Sequence, residues 1–123
     1  MAPYRTLKAW EHAQRLAVEC SKAARRFPDY EQGVLADQFR RACYSVPLNI
    51  AEGSARRGSR EYRRFLDTAK GSLAELETII DLSHDLGYMD DVTHTRLVDV
   101  ATETGKTLYG LLRKMSGAAR KSS

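Results

Sequence analysis

Residues 40–77, RRACYSVPLNIAEGSARRGSREYRRFLDTAKGSLAELE, decide the fold of this chain because they join two helical patterns through one short loop. Apolar side chains recur every three or four residues up to Gly53 and again from Tyr62 onward, which is the spacing of amphipathic helices. The segment 53–58, GSARRG, is rich in glycine and arginine and favours a turn. The stretch therefore predicts a helix, a tight connection and a second helix.

The same periodicity extends to both sides of this unit and predicts four helices in all. Thr6, Ser59 and Asp90 belong to the residue types that cap helix N-termini, and Gly87 suits the left-handed end of the third helix. The predicted helices cover about residues 7–26, 33–54, 59–86 and 91–116.

Short loops place successive helices side by side and in opposite directions. The sequence therefore predicts an all-α fold, an antiparallel up-down-up-down four-helix bundle. The chain has 123 residues, the length of one domain, so residues 1–123 are expected to form a single bundle. The end of the chain, residues 117–123, is small and polar and is predicted to be disordered.

Pro47 lies inside the second predicted helix. A proline there removes the hydrogen bond to the carbonyl of Cys43, and in a helix interior this usually costs roughly 3 kcal/mol. Because the apolar periodicity continues on both sides of Pro47, we predict one helix that is kinked at Pro47 rather than two separate helices.

Asn49 and Glu52 follow the proline and lie beside the apolar face of this helix. A carboxylate in such a place needs a partner. We therefore predict that Asn49 and Glu52 belong to a structural polar network, with Arg40, Arg41 or Arg56 as the cation.

Net charge is distributed unevenly along the chain. Residues 1–70 carry +6, residues 71–112 carry −6 and residues 113–123 carry +4, which gives the net charge of +4 for the whole chain. This division predicts a basic side and an acidic side, which suits either nucleic-acid binding or head-to-tail packing of basic against acidic surfaces.

Five arginines, Arg56, Arg57, Arg60, Arg63 and Arg64, crowd the central loop and the first turns of the third helix. Glu61 is the only acid among them, and the start of a helix adds partial positive charge. A polyanion is the partner that such a cluster favours. The predicted nucleic-acid-binding residues are Arg56, Arg57, Arg60, Arg63, Arg64, Arg40 and Arg41.

Other interpretations of this cluster stay open at the level of sequence. The arginines can form a solvated surface, or they can pair with acids of neighbouring subunits. Tyr62 lies among them and can stack on a base, but its helical spacing from Leu66 favours a place in the core or an interface.

Two further motifs, S-V-P-L-N-I-A-E-G at residues 45–53 and G-S-L-A-E-L-E at residues 71–77, occur in a characteristic order and spacing. In them the chain resembles the small four-helix-bundle proteins of the 23S rRNA intervening-sequence family, to which the accessory variability determinant of diversity-generating retroelements is related. The resemblance covers most of residues 4–115. It implies a ring-shaped homo-oligomer, with a pentamer as the expected form. For the retroelement relatives it implies binding of RNA or DNA and a reverse transcriptase as partner.

The sequence predicts neither a membrane-spanning segment nor export. No apolar run of 18 residues occurs, and the N-terminus lacks the apolar segment of a signal peptide. Cys20 and Cys43 fall on apolar helical faces and are expected to be buried thiols. We therefore expect a cytoplasmic protein without membrane contact.

Metal chemistry has one weak indication, the motifs Asp81-x-x-His84 and Asp91-x-x-His94. Carboxylate-bridged di-iron bundles use Glu-x-x-His pairs that point into the core, whereas these pairs use Asp and lie at one bundle end. Hydrolase and phosphate-binding motifs are missing from the sequence. We therefore predict no metal site, no cofactor and no catalytic residue.

These observations together predict a non-enzymatic, homo-oligomeric nucleic-acid-binding accessory protein with little sequence preference. One alternative is a purely structural oligomeric scaffold whose arginines serve subunit contacts. A more remote alternative is a metal-dependent bundle enzyme, which would need His84 and His94 to face inward.

Overall fold

A computed structural model describes residues 3–122, with side chains described for residues 4–117. All regular secondary structure among the described residues is helical, as the apolar periodicity predicts. Short 3-10 turns at Pro3–Thr6 and Asp29–Glu31 precede the first and second long helices. The four long helices are α1 (Lys8–Ala24), α2 (Leu35–Ser54), α3 (Ser59–Asp85) and α4 (Asp91–Ser122).

The four helices pack as a bundle around one hydrophobic core. Each helix contacts the next in sequence, and α1 also contacts α4, so the ring of neighbours is closed. Side chains from all four helices contribute to the core, including the fully buried Leu16, Phe39, Leu76 and Leu108. This confirms the predicted four-helix bundle, and the antiparallel direction of its helices stays a prediction from the short loops. Within the described chain, no helix is long and apolar enough to cross a lipid bilayer.

Helix α2 continues through Pro47 as a single helix from Leu35 to Ser54. The Asn49 side chain donates to the Ser45 carbonyl at 2.8 Å, adding a hydrogen bond within the turn that contains the proline. Buried neighbours on both sides, Val46 and Ile50, hold this part of the helix in the core. The bend at Pro47 stays a prediction.

The turn between α3 and α4 follows the predicted signals. Gly87 has φ of 82°, a left-handed conformation that favours glycine. Its N–H donates to the His84 carbonyl at 3.0 Å and the Tyr88 N–H donates to the Ser83 carbonyl at 2.9 Å, which is the bond pattern of a Schellman motif. Asp90 then caps α4, accepting from the Thr93 N–H at 2.7 Å.

The predicted N-caps of the first and third helices are wrong. Leu7 occupies the N-cap position of α1 and Gly58 that of α3, and neither cap makes a side-chain hydrogen bond. Thr6 instead lies in the preceding 3-10 turn. Ser59 is already the first helical residue because Gly58 takes the non-helical conformation before it, with φ of 84°.

Helix α4 runs to Ser122, past the predicted helix end at about residue 116. The disorder predicted for residues 117–123 stays a prediction. Gly117 costs a helix only about 1 kcal/mol relative to alanine, and the alanines, arginine and lysine after it are good helix formers. No proline follows to stop the helix. The final residue, 123, lies outside the described residues.

Two helical glycines have opposite surroundings. A Cβ added at Gly53 would lie 2.8 Å from Cβ of Phe65, so this glycine allows α2 to approach α3 closely. A Cβ at Gly71 would meet nothing within 4 Å. Gly71, which is exposed in the middle of α3, therefore allows no close packing against any of the described residues.

Candidate nucleic-acid interface

The loop between α2 and α3 sets the geometry of the arginine cluster. Gly58 ends the loop with a positive φ, and α3 starts immediately after it with no side-chain cap. The first intrahelical bond runs from the Tyr62 N–H to the Gly58 carbonyl at 3.3 Å. The N–H groups of the first turn of this 27-residue helix therefore lie beside the arginines without a capping side chain.

Arg57, Arg60 and Arg63 form the unpaired part of the cluster. All three are exposed, and none of their side chains makes an ion pair or a hydrogen bond with the described residues. Three guanidinium groups within seven residues thus keep their full charge and all their donors for a partner outside the chain. We call these residues the free arginines.

Arg56 and Arg64 have partners within the chain. Arg56 donates to Glu52 at 3.0 Å, and Arg64 donates to Glu61 at 3.2 Å. Their guanidinium carbons also lie 4.9 Å and 5.4 Å from the centre of the Phe65 ring. Phe65 thus holds two arginines by cation–π contacts. Helical periodicity does not reveal its contact with Arg56, because that contact depends on the path of the loop.

Arg40 and Arg41 do not join this cluster. Arg40 lies 14 residues before the end of α2, which is about 21 Å along the helix. Its guanidinium donates to the Gln32 carbonyl at 2.9 Å and to Gln32 Oε1 at 3.3 Å, so it anchors the α1–α2 connection. Arg41 pairs with Asp37 at 3.5 Å on the surface of α2. The structure therefore separates Arg40 and Arg41 from the loop arginines, and their binding of nucleic acid stays a prediction.

The predicted polar network near Pro47 forms in part. Asn49 donates to Ser45 Oγ at 2.9 Å, and this hydroxyl lies 2.7 Å from Ser72 Oγ, which links α2 to α3. Glu52 pairs with Arg56 at 3.0 Å, and Arg56 is one of the cations predicted for it. Both side chains of this pair are exposed, and neither hydrogen-bonds to Asn49. An exposed pair of this kind contributes little to stability.

Tyr62 lies on the inner side of α3 rather than among the free arginines. It packs against the hydrophobic core, and its ring approaches the position of Gly53. The Tyr62 hydroxyl is buried with no partner among the described residues, and burial raises its pKa. This arrangement favours a packing role for Tyr62 over stacking on a base.

The two histidines of the α3–α4 turn form crossed pairs. His84 Nε2 lies 2.6 Å from Asp91 Oδ1, and His94 Nε2 lies 2.9 Å from Asp81 Oδ1. The two rings stack with their centres 4.2 Å apart. Both side chains are partly exposed at the end of the bundle rather than directed into its core.

These pairs connect α3 to α4. They use the Nε2 atoms of both histidines, which are among the atoms that would have to bind a metal ion. The hydrogen bond to Asp91 is the main reason why the pKa of His84 is raised. Among the side chains that the structure describes, no group of three or more His, Cys, Asp or Glu is arranged to hold a metal ion.

The sequence model of a protein family described as 23S rRNA-intervening sequence protein matches residues 5–110. The chain belongs to this family. The match includes α1, α2, α3 and most of α4, so the arginine cluster lies inside the matched region. A comparison with curated proteins found no match. The relation to the accessory variability determinant stays a prediction.

Proposed function

We propose that this chain is a non-enzymatic accessory protein that binds nucleic acid through the free arginines, Arg57, Arg60 and Arg63. The observation that carries the proposal is that these exposed guanidinium groups have no partner among the described residues. A charge without a partner gains most from a phosphate, since arginine donates two parallel hydrogen bonds to it. The family description, which refers to 23S rRNA, supports a role connected with RNA.

The helix start strengthens the proposed site. The positive end of the α3 dipole and the uncapped N–H groups of its first turn point into the same region as the arginines. Arg56 and Arg64 add to the field, but their pairing with Glu52 and Glu61 reduces what they offer a ligand. The proposed contacts go to phosphates, which carry no sequence information, so we expect little sequence preference in either RNA or DNA.

The proposal includes self-association in the cytoplasm. The division of net charge into +6 over residues 1–70 and −6 over residues 71–112 supports head-to-tail contacts between copies. The pentameric ring and the reverse-transcriptase partner are implied by the resemblance alone. Several copies in one assembly would bind a long polyanion more tightly through effective concentration, without any new contact.

The test replaces the free arginines with glutamine, as Arg57→Gln, Arg60→Gln and Arg63→Gln together. Binding of a fluorescein-labelled oligo(U) RNA and its DNA counterpart is measured by fluorescence anisotropy. A matched control, Lys8→Gln with Arg15→Gln and Lys106→Gln, removes three cations that already pair with acids. We expect the first variant to lose affinity at least tenfold more than the control.

Equal loss in the two variants would mean that only net charge matters and that the free arginines form no site. The alternative function, a structural scaffold whose arginines serve subunit contacts, predicts a different result. In that case the arginine variant would lose self-association in light scattering, while the parent would bind neither RNA nor DNA.

A further inference from the structure

An apolar groove runs between α1 and α2 on the side away from α3 and α4. Its volume is about 540 Å³, and Val18, Tyr44 and Leu48 line it with 45%, 42% and 65% of their surfaces exposed. A hydrogen bond of 3.0 Å between Ser21 and Tyr44 joins the two helices along it. A groove with this much exposed apolar surface is typical of a binding surface.

The charges around this groove have one sign. Lys22 and Arg25 lie among its lining residues, are exposed, and make no ion pair with the described residues. No acid is found among the described residues that line the groove. A partner that fits here should therefore combine apolar side chains with carboxylates.

Helix α3 carries a surface of that composition on its outer face. Leu82 and Leu86, the C-cap residue that follows α3, are 44% and 49% exposed and lie about one helical turn apart. Glu75 and Asp85 are exposed on the same face, at spacings of seven and three residues from Leu82. Glu75 makes no ion pair among the described residues. We call Glu75, Leu82, Asp85 and Leu86 the α3 stripe.

Gly71 extends the α3 stripe by one turn beyond Glu75. A glycine in the middle of an exposed helix lowers the stability of that helix relative to alanine, and no atom in the described part of the chain comes close enough to require a glycine. Close approach of a backbone from outside the chain would give this glycine a packing role. The α3 stripe thus has apolar contact area, an unpaired carboxylate at Glu75 and room for a neighbouring helix. Its second carboxylate, Asp85, is exposed and lies 3.4 Å from Nδ1 of His84.

We propose that the α1–α2 groove receives the α3 stripe of a second copy of this chain. The two surfaces are complementary in charge, and both are apolar at their centres. They lie on different helices, so each copy offers both, and the contact repeats from copy to copy as a heterologous interface. The inference rests on the self-association proposed above and gives it residues, and it does not depend on nucleic-acid binding.

The test reverses the charges on each surface separately and then together. One variant carries Lys22→Glu and Arg25→Glu, a second carries Glu75→Lys and Asp85→Lys, and a third carries all four changes. A control with Lys70→Glu and Lys106→Glu has the charge change of the first variant at positions outside both surfaces. Sedimentation velocity at matched concentrations gives the association constant, and circular dichroism checks that each variant folds.

We expect each two-site variant to associate at least tenfold more weakly than the parent. The four-site variant and an equal mixture of the two two-site variants should recover association, because opposite charges then face each other again. The control should associate like the parent. Failure of both the four-site variant and the mixture to recover association would overturn the assignment of these surfaces.

A second, independent variant is Gly71→Ala, which raises helix propensity and leaves every charge in place. It should associate more weakly than the parent although its unfolding midpoint as a monomer is higher. Association as strong as in the parent would show that α3 does not approach another backbone at Gly71. A parent that stays monomeric at micromolar concentration would refute the proposed self-association as well as this interface, whereas nucleic-acid binding is measured separately.

Discussion

Gly53→Ala should destabilise the protein although alanine is the better helix former. The added Cβ would lie 2.8 Å from Cβ of Phe65 and 3.2 Å from the carbonyl oxygen of Tyr62. Neither atom can move away by a change of rotamer, because one is the root of its side chain and the other is backbone. Helix α3 itself must therefore shift, and the connection at residues 55–58 leaves little freedom for that.

The magnitude follows from two opposing effects. Replacing glycine with alanine in a helix gains at most about 1 kcal/mol, and Gly53 lies only one residue from the end of α2. Overpacking a tight contact costs about 1–3 kcal/mol, and the rigid neighbours favour the upper part of that range. We expect a net loss of about 1–2 kcal/mol, which corresponds to a fall of roughly 3–10 °C in the unfolding midpoint.

Urea unfolding followed by circular dichroism at 222 nm measures this change. Gly71→Ala is the matched control because its Cβ meets nothing within 4 Å. Under conditions where the chain is monomeric, the control should gain about 0.5–1 kcal/mol. The same substitution, glycine to alanine, should thus lower the free energy of unfolding at position 53 and raise it at position 71. A Gly53→Ala variant as stable as the parent would show that α2 and α3 are not in close contact at this position.

Three further outcomes follow from the helix ends and the core. The hydrogen bond to Asp91 raises the pKa of His84 in the folded protein. This hydrogen bond should therefore stabilise the fold fully below about pH 6.5, the pKa of histidine in the unfolded chain, and the stabilisation should be lost as the pH rises through the pKa of His84 in the folded protein. The stability difference between the parent and His84→Gln should accordingly be larger at pH 6 than at pH 8. Asp90→Ala should lower the unfolding midpoint because it removes the cap of α4. Asp90→Asn should lower the midpoint much less, since asparagine also caps helices. Burial raises the pKa of both Cys20 and Cys43, so neither thiol should react with Ellman's reagent at pH 8 until urea unfolds the protein.

Much of the fold follows from local signals in the sequence. The Gly87 and Asp90 turn was predictable because both requirements, a positive φ and a capping carboxylate, are satisfied by residues within one turn. The continuity of α2 through Pro47 was predictable from apolar spacing on both sides. The Ser59 cap was not, because its position depends on Gly58 taking the non-helical conformation first.

The candidate site was predictable in composition but not in its pairings. Five arginines around one loop are evident from the sequence, whereas only the packed structure separates Arg56, on the Phe65 ring, from the free Arg57. The pairing of Arg40 could not be predicted from the sequence either. Its anchoring of Gln32 depends on how the α1–α2 connection folds back, which no periodicity encodes.

The central claim is that the free arginines bind phosphates, and the salt dependence of RNA binding tests it most directly. The slope of log affinity against log salt for single-stranded RNA changes by about 0.7 for each phosphate contact. The variant with Arg57→Gln, Arg60→Gln and Arg63→Gln should therefore have a slope about 2 smaller in magnitude than the parent, measured between about 50 and 200 mM salt. The Lys8, Arg15 and Lys106 control should keep the slope of the parent. An arginine variant that folds normally and binds RNA with the affinity and slope of the parent would contradict the account.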